Sequence, residues 1–391
     1  MSAIRPSWTY RGAHGPVAWL VAVACLMAVA ACGSKPAASV PASSAPPAPP
    51  PLATSFTGAA GAGWAVVEMG GSAAQENNFW QMFSGRPGDW RLATPLGVAD
   101  NGGLVVTDTG AGSLVTGFVP SQDLTFSPLA ASADDGANWS PGDPVTPGLA
   151  GVPDALAAGP GARLIALTRS GAEIDQHLGA WTRLSSAGAL AATPAGRACR
   201  VTRLTAAAFS SAGAPLLAAS CGRPGVAGIF AEAGGRWQAA GPAVPASMAG
   251  QDVEVLRLTA TGAGLVALLQ AGAGPGASLA AAWSDNSGTH WSLSAPLRMD
   301  AGRLRSTAVG PGGSIGIILN VGHGETLAGP GSSWRSVPAL PQWAATLAPG
   351  PAGRLDVIAA HGGTFSDWRL AGSRWSPAQT IRVTIPYGSS G

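Results

Sequence analysis

Short apolar segments, each entered through a glycine-centred turn, recur along most of this chain. Glycine tolerates the positive φ that tight turns require, so each of these turns predicts the start of a strand. Residues 173–178 alternate polar and apolar side chains, as expected of a strand with one solvent-facing side. The seven turn-and-strand segments are 61–67, 101–106, 159–165, 211–217, 262–266, 310–315 and 350–355.

A second marker is a tryptophan that lies two or three residues after a glycine. Seven such tryptophans recur at intervals of 41 to 56 residues, and a repeat of roughly 40–50 residues built from short strands indicates a β-propeller. The predicted fold is all-β, with seven blades of four antiparallel strands. Six or eight blades remain open because the first unit is atypical. We expect every repeat tryptophan to open an outer strand and fill the gap between blades: Trp90, Trp139, Trp181, Trp237, Trp291, Trp334 and Trp375.

The C-terminal segment 380–386 also has the composition of a strand. We expect it to pair with the first blade and close the ring, because closure removes an exposed sheet edge.

The N-terminus has the pattern of an export signal. Residues 16–31 are wholly apolar and follow Arg5 and Arg11. This run is shorter than the ~20 residues of a membrane-spanning helix and is typical of a signal peptide. It ends in Val29-Ala30-Ala31-Cys32, which resembles the lipobox of bacterial lipoproteins. The resemblance implies cleavage between Ala31 and Cys32, diacylation of Cys32 and anchoring at the extracytoplasmic face of the cell membrane. An ordinary cleaved signal and a retained membrane anchor are the alternatives.

The next segment is rich in proline, alanine and serine. Residues 33–54 contain seven prolines and one charge, a composition that favours extended polyproline II over a packed core. The predicted domains are a signal peptide at 1–31, a stalk at 32–56 and a propeller at 57–391.

Charge narrows the set of partners. Charged residues make up 11% of the chain and the net charge is +2, so there is no basic stripe for phosphates and nucleic-acid binding is not expected. We expect a monomeric propeller whose partner is an envelope protein or a glycan.

Two segments resemble the Asp-box (BNR) repeat of sialidases and other propellers. The first, Ser132-Ala-Asp134-Asp-Gly136-Ala-Asn-Trp139, matches each defined position of that pattern. The second, Ser284-Asp-Asn286-Ser-Gly288-Thr-His-Trp291, has asparagine in place of aspartate. The resemblance implies a structural turn between the third and fourth strands of a blade. Asp134 and Asn286 would satisfy backbone groups there, as these residue types commonly do.

Sialidase chemistry is not expected from this resemblance. It needs a tyrosine nucleophile, and the chain has only Tyr10, in the signal peptide, and Tyr387, near the C-terminus. Other glycosidases need only paired carboxylates, which could form across blades. Acidic or arginine side chains that converge at the ring axis would favour a glycan-active module, whereas a channel mouth lined by alanine, glycine, serine and threonine would disfavour it. The acids considered for the axis are Glu173, Asp175, Glu254 and Asp356.

The remaining chemistry is sparse. Cys199 and Cys221 flank a predicted hairpin and are expected to form a disulfide, which persists in an exported protein. The histidines are scattered singly, so no metal, cofactor or catalytic residues are predicted. The favoured function is a non-enzymatic recognition or scaffold module at the cell envelope, with its ligand at one mouth of the ring. The alternative is a carbohydrate-binding module or a divergent glycoside hydrolase.

Overall fold

The computed structural model describes most of the chain after the proline-rich segment. The described residues are 53–57, 62–72, 75–99, 103–110, 112–120, 128–141, 149, 151–175, 179–262, 264–285, 287–300, 303–319 and 322–384. They form a β-propeller of seven blades, each built from four antiparallel strands. The predicted fold class and blade number are therefore confirmed.

The first three blades follow one another along the chain. The first contains β1 (Ala53–Thr57), β2 (Gly63–Ser72), β3 (Gln75–Arg86) and β4 (Asp89–Leu92). The second contains β5 (Leu104–Gly110), β6 (Ser113–Phe118), β7 (Leu129–Ser132) and β8 (Ser140–Pro141). The third contains β9 (Pro153–Ala158), β10 (Leu164–Thr168), β11 (Gly171–Asp175) and β12 (Trp181–Ser185).

The next two blades follow a short helical connection, α1 (Ala187–Ala191) and α2 (Pro194–Cys199). The fourth blade contains β13 (Val201–Phe209), β14 (Pro215–Cys221), β15 (Gly228–Ala233) and β16 (Arg236–Ala239). The fifth contains β17 (Val253–Thr261), β18 (Gly264–Ala271), β19 (Ala277–Ser284) and β20 (Ser292–Leu293), and an additional strand, β21 (Leu297–Met299), that pairs with β19.

The last two blades complete the ring. The sixth contains β22 (Leu304–Val309), β23 (Ile315–Leu319), β24 (Gly324–Leu327) and β25 (Arg335–Ser336). The seventh contains β26 (Ala344–Pro349), β27 (Leu355–His361), β28 (Thr364–Ala371) and β29 (Arg374–Arg382). Among the described residues, no helix is long and apolar enough to cross a membrane.

Each predicted turn leads into a strand, and in six of the seven blades this strand is the second one. In the second blade the described part of the segment 101–106 is the exception. That segment leads into the first strand, β5, and the first-to-second turn lies between Gly110 and Ser113. Both turns are glycine-rich, so the local composition does not distinguish them.

The hydrophobic core lies between adjacent blades. One cluster joins the fourth and fifth blades through residues such as Leu216, Ile229 and Leu269, and another joins the fifth and sixth through residues such as Leu279 and Ile317. Each blade therefore buries its two faces against its two neighbours, and the blade order must close into a ring for every face to be covered.

Ring closure depends on the first strand of the chain. β1 pairs antiparallel with β2 of its own blade and parallel with β22 of the sixth blade, with Ser55 opposite Ala308. β26 of the seventh blade lies behind this pair: all six of its residues are buried, and Thr346 Oγ1 lies 3.3 Å from Ser55 Oγ. β1 begins at Ala53, inside the segment 32–56 that the sequence assigned to a stalk.

The prediction that segment 380–386 closes the ring was wrong. The described part of that segment belongs to β29, which pairs with β28 of its own blade, with Thr380 opposite Ser366. A strand that follows directly on a hairpin finds its partner locally, at less loop-closure entropy than pairing with a blade more than 300 residues away. Pro386 lies outside the described residues.

Side chains fasten the seventh blade to the first. The Gly88 amide and the Trp90 indole Nε1 donate to Asp367 Oδ2 at 2.7 and 3.1 Å. Gln379 accepts from the Trp90 amide and donates to the Trp90 carbonyl. Phe365 stacks on Phe83, with ring centroids 3.8 Å apart. These contacts join segments almost 300 residues apart in sequence.

The Asp367 carboxyl at this contact is fully buried. Desolvation, together with the neighbouring Asp356 carboxylate, raises its pKa from 3.8 to about 6, against the opposing effects of Gly88, Trp90 and Arg369. Asp356 is itself paired with Arg354 and Arg369, at 2.9 and 3.2 Å. A buried acid with a raised pKa favours its neutral form, so its contribution to stability is greatest below about pH 4 and is lost as the pH rises through about 6.

We therefore expect Asp367→Asn to remove this pH-dependent loss. The difference in unfolding free energy between the variant and the wild type should become more favourable to the variant by about 1–3 kcal/mol when the pH is raised from 4 to 8. Each unit of pKa shift corresponds to about 1.4 kcal/mol. Urea unfolding at both pH values measures the difference. Asp300→Asn is the control, because Asp300 is exposed and paired only at the surface. Equal pH dependence of wild type and Asp367→Asn would contradict the burial argument.

Candidate functional site

The first predicted Asp-box segment forms a tight turn between β7 and β8. Ser132 Oγ accepts from the Gly136 amide at 2.8 Å and donates to Asp134 Oδ1 at 2.8 Å. Asp134 Oδ1 in turn accepts from the Asn138 amide at 2.8 Å. These hydrogen bonds lower the pKa of Asp134 to about 2, with the Asn138 amide as the largest cause. The carboxylate is thus engaged by the turn's own backbone and side chains.

The second segment has matching contacts between β19 and β20. The Gly288 amide donates to Ser284 Oγ at 2.9 Å, as Gly136 does to Ser132. Trp139 Nε1 and Trp291 Nε1 each donate to a carbonyl of the preceding blade, that of Ala93 at 2.8 Å and that of Ala240 at 2.7 Å. Asn286 lies outside the described residues, so its predicted role in the turn stays a prediction.

The seven repeat tryptophans lie in the outermost strands or directly before them. Besides Trp139 and Trp291, Trp334 and Trp375 donate from Nε1 to backbone carbonyls of the preceding blade at 3.0 and 3.3 Å, and Trp90 donates to Asp367. Trp237 packs against two apolar clusters of the third and fourth blades, and Trp181 begins β12. With the exception of Trp181, whose predicted packing role stays a prediction, these side chains contact the neighbouring blade.

Cys199 and Cys221 are joined by a disulfide, with Cα atoms 5.0 Å apart. Cys199 ends the short helix α2 and Cys221 ends β14, so the bond ties the helical connection to the fourth blade rather than linking two paired strands. Ala31 and Cys32 lie outside the described residues, as do His177 and Tyr387.

A channel of about 200 Å³ runs along the ring axis. It is lined by β1, β5, β9, β13, β17 and β22, the first strands of six blades, because β26 lies behind the β1–β22 pair. Alanine is the most frequent residue of its wall, as in Ala206–Ala208, and leucine and threonine follow in equal number. A ring of seven blades therefore presents a channel with six walls.

The acids considered for the axis do not line this channel. Each is engaged elsewhere: Glu173 with Arg183, Asp175 with the Gly179 amide, Glu254 with Arg203, and Asp356 with Arg354 and Arg369. The charged residues that do line it are Asp108, Asp154 and Arg257. Burial raises the pKa of Asp154, opposed by Arg169, and lowers the pKa of Arg257 to about 10. Arg257 Nε donates to Thr307 Oγ1 at 2.9 Å, which holds the guanidinium against the wall.

A larger cleft of about 760 Å³ lies between the connection that follows β25 and the outer part of the seventh blade. Its aromatic wall is formed by Trp343, His361, Trp368 and Trp375. The indole of Trp343 is stacked on the His361 imidazole, with ring centroids 3.9 Å apart and planes inclined by 7°. Trp343 is 49% exposed, and it is the only aromatic residue among the exposed large apolar side chains of the described region.

The backbone of Trp343 is held in a conformation that favours glycine. The Ala344 amide donates to the Pro341 carbonyl at 3.2 Å, which makes Trp343 the third residue of a four-residue turn, with φ of 64°. Type II turns place glycine at this position, and a bulky side chain there is strained by about 1–3 kcal/mol. The Ala360 amide also donates to the Trp343 carbonyl at 3.1 Å, so the strained residue is fixed from both sides.

The polar groups of the cleft come from three segments. Gln342 lies beside Trp343 in the turn, Thr364 and Ser366 alternate with buried residues along β28, and Ser373 and Arg374 lie at the turn into β29. The lining contains an amide, hydroxyls, an imidazole and a guanidinium. A largely pre-formed cleft with aromatic walls and a few polar groups is the usual form of a ligand-binding site.

Trp343 is not among the residues predicted from the sequence. Residues 341–344 read as a loop, and nothing in the side-chain pattern encodes a positive φ at tryptophan. Trp343 follows Trp334 by nine residues and is therefore out of register with the repeat. This spacing alone does not distinguish it, because Trp64, Trp80 and Trp283 are also out of register and are buried in the core.

No family model and no curated protein matches this chain. Solved propellers resemble it in architecture. YCF48 from Cyanidioschyzon merolae is 16% identical, with 81% of this chain and 95% of that chain covered and a TM-score of 0.45. A six-bladed fucose-binding lectin from Aleuria aurantia is 15% identical, with 86% and 96% covered and a TM-score of 0.39. At these values the resemblance concerns the repeated blade architecture and assigns no ligand.

If the strained backbone of Trp343 serves to expose its indole and does not stabilise the fold, Trp343→Gly should lower the unfolding free energy only slightly. Relief of the positive φ offsets the lost stacking on His361 and the greater freedom of the unfolded chain, so the unfolding free energy should change by less than about 1 kcal/mol. Denaturant unfolding measures this. Trp90→Gly is the contrasting variant, since Trp90 is 3% exposed at the blade contact and its loss should cost at least about 3 kcal/mol. A loss of similar size in both variants would show that Trp343 is a packing residue.

Proposed function

We propose that this chain is an exported bacterial lipoprotein whose propeller is a non-enzymatic recognition module, with its ligand bound in the Trp343 cleft. The observation that carries the proposal is the half-exposed Trp343 indole, held at a φ of 64° on a rigid turn beside polar groups. Backbone strain of this kind persists at sites where the surrounding structure fixes it for function.

The position of the cleft supports recognition of a ligand from outside the ring. Trp343 immediately precedes β26, so its turn lies on the face of the propeller where the first strands begin. The cleft is held rigidly, because its walls lie on strands β27 and β28 and the turn that carries Trp343 is closed by its own hydrogen bond. A rigid site loses less conformational entropy on binding than a flexible loop would.

Localisation is the second part of the proposal. The apolar run at 16–31, the lipobox-like sequence ending at Cys32 and the proline-rich segment that follows support an anchored domain on the extracytoplasmic side of the membrane. Two acyl chains on Cys32 would give stable anchoring, which a single chain does not. A module of this kind would meet envelope proteins and glycans directly.

Capture of ligands from intact envelopes tests the recognition proposal. Cross-linking with the tagged full chain, followed by mass spectrometry and glycan analysis, should recover one partner with the wild type and lose most of it with Trp343→Ala. Leu96→Ala is the matched control, because Leu96 is 90% exposed and does not line the cleft. Equal recovery with all three chains, or none with the wild type, would overturn the proposal for this cleft.

Cell fractionation tests the anchor separately. Cys32→Ser should move the protein from the membrane fraction to the soluble extracytoplasmic fraction, because no thiol remains to be acylated. Cys25→Ser is the control, since Cys25 lies within the apolar run and should leave the distribution unchanged. Palmitate labelling should likewise be lost in Cys32→Ser, and equal labelling of the wild type and this variant would exclude acylation at this residue.

A further inference from the structure

The shape and charge of the Trp343 cleft indicate which ligand it takes. We propose that it binds an extended acidic oligosaccharide, with one sugar ring packed on Trp343 and a carboxylate near Arg374. This inference rests on the proposed recognition function and specifies the ligand of the same site.

The indole offers a platform for a sugar ring. His361 stacks on one face of Trp343, and the residue is still 49% exposed, so indole surface remains open to a ligand. An aromatic face is electron-rich and attracts the weakly positive C–H groups of a pyranose while excluding water from them. Gln342, next to Trp343 in the chain, places an amide beside this platform for ring hydroxyls.

The cleft is elongated along β28. Thr364, Ser366 and Trp368 lie on one face of that strand. The four residue steps from Thr364 to Trp368 span roughly 13 Å. This spacing accommodates several linked sugar rings, with hydroxyl groups along the path and a second aromatic side chain further on. A single small ligand would leave most of the 760 Å³ unfilled.

The charge of the lining favours an acidic ligand. Arg374 is exposed and, among the described residues, makes no ion pair, and the lining includes no aspartate or glutamate. The guanidinium is the side chain best suited to bind a carboxylate through two parallel hydrogen bonds. A neutral sugar would leave this group without a counter-charge.

An extended peptide fits the cleft less well. Peptides that add to a sheet use an unpaired strand edge for main-chain hydrogen bonds. β28 is paired on both sides, with β27 and with β29, so it offers no such edge. A peptide could add to this blade only at the outer edge of β29, whereas the rings and hydroxyls along β28 offer the contacts that a saccharide uses.

Isothermal titration of the full chain with tetragalacturonate and maltotetraose tests the inference. Tetragalacturonate should bind and maltotetraose should bind at least about tenfold more weakly, a difference of about 1.4 kcal/mol. Trp343→Ala should weaken tetragalacturonate binding at least tenfold. Arg374→Gln should weaken it several-fold at low salt, and this difference should shrink at high salt because the charge is exposed.

Arg236→Gln is the matched control for charge. Arg236 is exposed and precedes the repeat tryptophan Trp237 in the fourth blade just as Arg374 precedes Trp375, but it does not line the cleft. Its substitution changes the net charge equally and should leave binding unchanged. Both arginine variants remove exposed side chains, so neither threatens folding.

The outcomes separate this inference from the proposed function. Equal binding of both sugars, insensitive to Arg374→Gln, would overturn the acidic ligand and leave a saccharide site. Absence of binding by either sugar, with a protein captured from envelopes by the wild type and lost in Trp343→Ala, would overturn the saccharide inference and uphold the recognition function. Absence of both would overturn both.

Discussion

The whole molecule depends on the contact between its last and first blades. The apolar core is distributed over the spaces between blades, so an open ring would expose two blade faces to water at once. Phe83 and Phe365 fill the closing space, and Asp367 and Gln379 bind the backbone at Gly88 and Trp90. β1 adds a second closure by pairing with a blade that is not its neighbour along the ring. The strands of one blade can form from local sequence preferences, but only these non-local contacts join the first blade to the last.

The same dependence separates what the sequence could predict from what it could not. The glycine turns and repeat tryptophans act within one blade or between consecutive blades, so their periodicity is visible in the chain and predicted the seven-bladed fold. The closing strand pairs across about 250 residues, and the segment 53–57 lies next to prolines in a composition that reads as linker. Segment 380–386 has better strand composition and was chosen wrongly for that reason.

The residues of the candidate site also divide into those with local contacts, which could be predicted, and those with non-local contacts, which could not. Asp134 and its turn could be assigned because the side chain bonds to its near neighbours in sequence. Cys199 and Cys221 are likewise close in the chain. Trp343 could not be found in this way, because its exposure depends on a turn conformation and on His361, which reaches it from β27. Blade packing accounts for the repeat tryptophans. Trp343 differs from them in its strained backbone, which the sequence pattern does not encode.

The position of β1 in the middle of a sheet has a mechanical consequence. Tension applied at Ala53, along the strand, would load the hydrogen bonds to β2 and β22 together, in shear, instead of peeling them apart one at a time. A strand at the edge of a sheet has no hydrogen bonds on its free side to resist such a force. Under the proposed N-terminal anchoring, a load on the anchor would therefore reach a strand that is paired on both sides. Rupture of that element would unlock the ring at its centre before any outer strand was disturbed.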